Sequence, residues 1–235
     1  MRGMARKKFS AKIGGAQRDD DSLSQKRIVA NARAIMEESG VESVSMRRVA
    51  AALGVTAMAL YHHVGDKQAL VALVADQVID EVSDSRTPDD CPWYDRLRHG
   101  FLTVHEAITR YPGLGLYIAG SNGFYPSGFR MFRETVEMLV EAGFDESEAI
   151  EINYVLLAYQ GGYFLIDQSA QRPPVRVDPD QDDDRLSHLH SSAALNSLDA
   201  FARGLEGIIA GFRAQLESKG SPASRPKNAN VGVLF

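Results

Sequence analysis

The sequence predicts an all-α protein, a small basic front end followed by a larger acidic body. Three observations carry that expectation. Apolar residues recur at helical spacing through most of the chain, and no alternating apolar run bounded by turn residues reads as a strand. The 235 residues are 44% hydrophobic and 24% charged, enough apolar material for a sizeable core. Charge is divided unevenly: residues 1–67 hold 12 Lys/Arg against 7 Asp/Glu, and residues 68–235 hold 14 against 24. The net charge of −5 taken alone argues against a polyanionic partner, but a basic front end on an acidic body gives each part a partner of its own.

The elements follow in order. Residues 1–22 are expected to be a disordered basic arm, with Arg2, Arg6, Lys7, Lys8, Lys12 and Arg18 and then Asp19, Asp20 and Asp21; a solvated tail and an arm that touches DNA both fit. From Ser24, residues Ile28, Ala32, Ile35 and Met36 share one helical face, and Gly40 stops the run. Short helices follow at 46–53 and 57–63 with Gly54-Val55 between them. Asp66 can cap a longer helix at 67–82, striped by Leu70, Leu73, Val74 and Val78. A linker at 83–92 contains Pro88 and Pro92, and a long helix over 93–110 stops at Pro112-Gly113.

The stretch 113–128 is rich in glycine and aromatics and has room for one short helix. Helical pattern resumes over 128–142 until Gly143, and Asp145 with Glu148 has capping-box spacing for a helix over 146–169. Residues 171–191, with Pro173, Pro174, Pro179 and a run of aspartates, are too polar for a core. A last helix is expected over 192–217, and residues 219–235 as a flexible tail.

No stretch approaches the ~18 uninterrupted apolar residues of a membrane span, and the basic start is not followed by an apolar signal core. The single cysteine, Cys91, makes neither an internal disulfide nor a cysteine zinc site. A cytoplasmic protein without membrane contact is expected.

Residues 45–67 fit a helix-turn-helix frame. With Met46 at the first position, Ala50 falls at the fifth, where two helices cross too closely for a larger side chain. Gly54 falls at the ninth, where the turn favours positive φ. Val49, Leu53, Val55 and Leu60 take the positions that must be apolar. Ser45 is an N-cap candidate whose hydroxyl or amide can also meet a phosphate.

The segment Leu60-Tyr61-His62-His63-Val64, followed by Lys67, resembles the end of the recognition helix in the TetR family of bacterial transcriptional regulators. That resemblance runs without gaps from Ile28 to Leu73 and includes Ser45-Met46-Arg47, Val49-Ala50 and Leu53-Gly54-Val55. More loosely, Gly161-Gly162-Tyr163-Phe164-Leu165-Ile166-Asp167-Gln168 and the stretch from Phe201 to Gly211 resemble the C-terminal domain of the tetracycline-repressor branch. The resemblance implies a three-helix DNA-binding domain at 23–68 and a helical ligand-binding and dimerisation domain at 69–218. It implies a homodimer on a double-stranded operator, controlled by a small-molecule effector and most simply a repressor.

On that pattern Arg47 reads a base from the second helix, its fork suited to guanine O6/N7, with a phosphate contact as the alternative. Arg48 is a backbone contact or solvated. Thr56, Ala57, Met58 and Ala59 open the recognition helix, and their side chains suit thymine methyls rather than bidentate hydrogen bonds; Thr56 can instead cap the helix and hold a phosphate. Tyr61 meets a phosphate or methyl, with His62 beside it, and His63 matches a position that packs inward. Lys67 lies within reach of a phosphate. Two subunits would set two such helices in successive major grooves, roughly 34–36 Å apart.

In the larger part, Gly204, Gly207 and Gly211 give the last helix a small-residue face. Glycine inside a helix costs ~1 kcal/mol relative to alanine, so close backbone approach is expected there, across a dimer interface with the 146–169 helix or within one subunit. Phe101, His105, Tyr117, Asn122, Phe129, Phe132, Asn153, Gln160 and Phe164 are candidates to line an effector cavity, an aromatic space with a few polar groups. The branch's magnesium-binding histidine and glutamate correspond to Arg110 and Ile166, and an isoleucine supplies no oxygen ligand. Tetracycline–magnesium is therefore not the expected effector, and no metal or cofactor site is expected.

Catalysis has little support. Ala119-Gly120-Ser121-Asn122-Gly123 is not a nucleophile elbow, and Gly113, Gly115 and Gly120 miss dinucleotide spacing. His188 and His190 beside Asp182, Asp183 and Asp184 read as polar loop rather than metal site. Two alternatives stay open: a DNA-binding regulator with a vestigial pocket and a protein partner, and a small-molecule carrier or enzyme with an appended helix-turn-helix.

Overall fold

A computed structural model of the protein describes residues 23–83, 91–120, 125–170 and 198–219. They form nine α-helices and one 3-10 turn, without a strand among the described residues. The helices are α1 (Gln25–Ser39), α2 (Met46–Leu53), α3 (Ala57–Val64), α4 (Lys67–Ser83), α5 (Trp93–Thr109), α6 (Leu114–Gly120), α7 (Pro126–Ala142), α8 (Glu146–Ala170) and α9 (Leu198–Lys219), with the 3-10 turn at Val41–Ser43. None of the described helices is long and apolar enough to cross a membrane.

Local chemistry sets most of these boundaries. The side chains of Ser24, Ser45 and Thr56 accept from the amides of Arg27, Arg48 and Ala59, which occupies otherwise unpaired donors in the first turns of α1, α2 and α3. Asp66 accepts from the Ala69 amide at 2.8 Å and starts α4. The capping box forms in both directions: Glu148 N donates to Asp145 at 2.9 Å, and Asp145 N to Glu148 at 3.1 Å. Helix α7 starts at Pro126, two residues before the expected 128, because proline suits the first helical position. Lys219, expected in a loose tail, ends α9 and pairs with the Glu148 carboxylate. The basic arm, Pro88, residues 171–191 with their His/Asp cluster, residues 192–197 and residues 220–235 lie outside the described residues.

Two cores result. The first packs Ile28, Ala32 and Met36 of α1, Val49 of α2 and Leu60 of α3 against Leu70, Val71 and Val74 of α4, and continues into Ile108, Tyr111, Leu114 and Phe164. The second joins Leu97 and Phe101 of α5, Leu139 of α7, Ile152 and Leu156 of α8 and Phe201 and Leu205 of α9.

Polar clamps tie α1 and α4 to the rest. Arg33 of α1 grips the Glu81 carboxylate with both guanidinium ends and donates to the Tyr111 hydroxyl at 2.8 Å. That guanidinium holds the Glu81 carboxyl below the usual range. The Val41 amide donates to Pro112 O at 2.9 Å, and Tyr117 of α6 donates to Gln68 O at 2.8 Å. Asp76 of α4 accepts from the Ser127 amide at the start of α7 at 2.8 Å, and Asp80 pairs with Arg130 one turn on.

His105 sits between the cores, stacked at 3.9 Å on Phe201 and 5.1 Å on Phe164, and its Nδ1 has no hydrogen-bond partner among the described residues. Burial lowers its pKa to about 4. Between the ordinary histidine pKa near 6.5 and about 4, the unfolded chain therefore binds a proton that the folded chain refuses. The stability conferred by neutral His105 is present above pH ~6.5 and lost as pH falls toward 4. The urea midpoint should fall across that window. A His105→Leu variant should flatten the fall, and an unchanged slope would remove His105 as its source.

Candidate nucleic-acid interface and cavity

Helices α2 and α3 are joined by Gly54, whose φ of 69° lets its amide close on the Ala50 and Ala51 carbonyls. A side chain there would meet nothing within 4 Å, so the backbone angle and not space is what calls for glycine. Ala50 is buried at the crossing of the two helices, and the Val55 amide donates back to its carbonyl at 3.0 Å.

Leu60 and Val64 are the buried residues of α3, and Ala57 packs on the same core three residues earlier. The opposite face presents Met58, 68% exposed, Tyr61, 48% exposed, and His62. Two expectations are corrected by this helical phase. Ala57 turns inward instead of lying on the outer face, with Ala59 half-buried at the edge. His63 is exposed instead of packed inward, because Val64, one residue on, takes the inner position; its backbone carbonyl accepts from the Gln25 side chain at 3.3 Å.

Arg47 is exposed and makes no hydrogen bond or ion pair among the described residues. Arg48 is also exposed but held by Ser39 at 3.3 Å and Glu38 at 3.6 Å. Lys67 is half-buried, its ammonium 3.5 Å from the Glu42 carbonyl and 3.9 Å from its carboxylate. Ser45 and Thr56 accept as caps, which leaves each hydroxyl hydrogen free to donate outward.

Between α4, α5, α6, α7 and α8 lies a cavity of about 860 Å³. Phe101, Phe132, Asn153, Gln160 and Phe164 line it. Other candidates do not. Phe129 is 56% exposed on the outer side of α7. Tyr117 has its hydroxyl on Gln68 and braces α6 against α4. His105 is enclosed in the ring stack, and Asn122 lies outside the described residues. Sequence reasoning missed the α4 wall of Ile79, Val82 and Ser83, and also Gly100 and Gly128, where an added Cβ would meet nothing within 4 Å. Glycine within a helical stretch is the signal that could have found the latter two.

Arg110 and Ile166 are both exposed and outside the cavity lining, and the described residues contain no cluster of three or more His, Cys, Asp or Glu able to hold a metal.

The three glycines of α9 separate in the structure. A Cβ at Gly204 would overlap the Tyr159 ring, whose hydroxyl donates to Phe201 O at 2.9 Å, so this glycine serves packing within the subunit and not an outward face. Gly207 and Gly211 are exposed, and a Cβ added at either would meet nothing within 4 Å. On the neighbouring α8, Val155, Ala158, Leu165 and Ile166 are exposed as well, an apolar strip along which Ala158 and Leu165 also line the cavity.

Both parts of the chain have matches among known proteins. Residues 28–74 match the family of bacterial regulatory proteins, tetR family, and residues 87–216 match the tetracyclin repressor-like C-terminal domain. The tetracycline repressor protein class E of Escherichia coli is 26% identical over 200 residues, covering 84% of this chain and 94% of that protein. The class H repressor of Photobacterium damsela subsp. piscicida is 26% identical over 205 residues, covering 83% and 91%. Among solved structures, a possible TetR family transcriptional regulator from Streptomyces coelicolor A3(2) superposes with a TM-score of 0.68 at 28% identity, covering 82% of this chain and all of that one. ActR of Streptomyces coelicolor in complex with actinorhodin gives 0.65 at 26% identity, covering 83% and 99%. The chain belongs to the tetR family of bacterial regulatory proteins, ligand-responsive DNA-binding repressors, with the C-terminal domain of the tetracycline-repressor type.

Proposed function

We propose that this chain is a cytoplasmic, homodimeric repressor that reads a palindromic operator through α3 and leaves it when a small apolar or amphipathic molecule fills the cavity. The observation that carries the reading is α4. Its inner face completes the core beneath α1, α2 and α3, and its last turns, through Ile79, Val82 and Ser83, form a wall of the cavity. A guest that shifts this wall shifts the support of the recognition helix. The volume of about 860 Å³ is in the range of small-molecule sites and argues against a vestigial pocket. ActR is seen with actinorhodin bound, which supports a small-molecule guest for this chain as well.

At the DNA surface, Arg47 supplies base readout, and Met58 and Tyr61 supply apolar contact with thymine methyls. Ser45, Thr56, Arg48 and Lys67 hold phosphates. The protein acts by binding and release, without catalysis. The second copy covers the apolar strip of α8 together with Gly207 and Gly211, giving a four-helix interface that fixes the spacing of the two recognition helices. Tetracycline–magnesium is not the proposed effector, since Ile166 offers no ligand atom.

Selection from random duplexes should return a palindrome with half-sites one helical turn, or a multiple of it, apart. Recovery of DNA without sequence preference would end the reading. Arg47→Ala should relax preference at one base position, costing ~1–3 kcal/mol there, whereas Lys67→Ala should weaken all sequences alike and shallow the salt slope by about one. The opposite signatures would exchange their roles.

Gly207→Leu should leave the fold intact and yield monomers with weak operator affinity, read by light scattering and titration. Gly204→Leu should instead lower thermal stability through its clash with Tyr159. A dimeric, fully DNA-competent Gly207→Leu/Gly211→Leu protein would sink the interface.

A further inference from the structure

The polar groups facing the cavity are unequal. Thr135 donates to the Met131 carbonyl of its own helix at 2.9 Å, and Ser83 donates to Asp80 O at 2.7 Å while accepting from Arg130 at 3.0 Å. The charged lining includes both signs, Arg96 on α5 and Glu134 on α7, so it does not select a guest of one charge. Two amides on α8 differ from all of these. Asn153 is 2% exposed and Gln160 5% exposed, and both line the cavity. Asn153 donates to Phe132 O of α7 at 3.2 Å, and Gln160 donates to Phe101 O of α5 at 3.3 Å.

A carbonyl can only accept, so each bond fixes which end of the amide is nitrogen. Both side chains are thereby anchored through the donor end to a neighbouring helix. Neither amide oxygen has a hydrogen-bond partner among the described residues. Neither oxygen is sealed off by protein, since both residues line the cavity, so each is open to a donor that a guest can provide. The two residues are seven apart on α8, which places them on one side of the helix with a rise of about 10 Å between them. Beside Gln160, Gly161 also lines the cavity and faces α6, where an added Cβ would lie 3.5 Å from the Ala119 Cβ.

Resting on the effector-cavity reading above, we infer that the guest is a neutral, elongated, largely apolar molecule with hydrogen-bond donors at both ends, a diol or bisphenol on a fused-ring body, lying along α8 with one hydroxyl at Asn153 and the other at Gln160. The amide pair sets specificity: it rewards donors at that separation and rejects the same body with the donors capped.

Matched pairs test this on the full-length dimer by calorimetry at pH 6, where phenols keep their protons. The probes are 2,6-dihydroxyanthraquinone with 2,6-dimethoxyanthraquinone, and 17β-estradiol with its 3,17-dimethyl ether. The diol of at least one pair should bind once per subunit and about tenfold or more tighter than its ether, as expected for two neutral hydrogen bonds. In Asn153→Leu/Gln160→Leu that advantage should shrink to about threefold or less, and each single variant should remove part of it. Because capping the ligand needs no mutation, a poorly folding variant does not remove the test. Gly128→Leu, which fills the cavity, should abolish binding and so locate the site. Equal binding of diol and ether, or a preference that survives in the double variant, would overturn the inference while leaving the effector cavity standing. No binding by any of the four would overturn it and count against the cavity reading as well.

Discussion

Helix α4 is packed on two sides at once, and the rest of the structure depends on that double packing. Leu70, Val71, Val74 and Val78 complete the core under α1, α2 and α3, which is too small to close on itself. The same helix turns Ile79, Val82 and Ser83 to the cavity and offers Asp76 and Asp80 to the start of α7. The Asp76 carboxylate accepts from a first-turn amide of α7, where a negative charge is favoured by the helix dipole. The Arg130 guanidinium holds the Asp80 carboxyl below its usual range, so that contact keeps its charge at neutral pH. Packing and charge thus bind α4 to the body at its C-terminal end, and to the DNA-reading unit at its N-terminal end.

A cavity of this size in a helical domain needs side chains to be missing somewhere. Gly100 and Gly128, on helices that face it, leave open space where a Cβ would fit without strain. Each costs helix stability relative to alanine, and filling the space would recover packing. Emptiness that could be removed so simply fits a space kept for an occupant. His105 shows the contrasting case beside it: a polar ring held in an aromatic stack, with burial suppressing its charge and no opening to the cavity.

Local signals in the sequence were enough for the element order and for the turn at Gly54, because caps, positive-φ glycine and helical periodicity act over a few residues. Ser24, Ser45, Thr56, Asp66 and the Asp145/Glu148 pair each start a helix as the residue types suggest. What was not legible depends on what lies across from a residue. Gly204 and Gly207 are the same residue three positions apart, yet one admits the Tyr159 ring and the other faces outward. Phe129 and Phe132 are similarly spaced, and only the second reaches the cavity. Tyr117 reads as a pocket aromatic until its hydroxyl is found on Gln68 O. At His63 and Ala57 the error was one of phase, a single residue on a short helix where the inner stripe is Ala57, Leu60 and Val64.

The central claim is that cavity occupancy reaches the recognition helix through α4. The most direct measurement is operator affinity with and without a saturating cavity ligand, in the wild type and in Asp76→Ala/Asp80→Ala. Couplings of this kind are typically about 1–3 kcal/mol, so the wild-type operator constant should weaken by roughly 5- to 150-fold when ligand is bound. With α4 released from α7, that ratio should fall toward one while ligand affinity in the absence of DNA stays the same. An undiminished ratio in the variant would contradict α4 as the link.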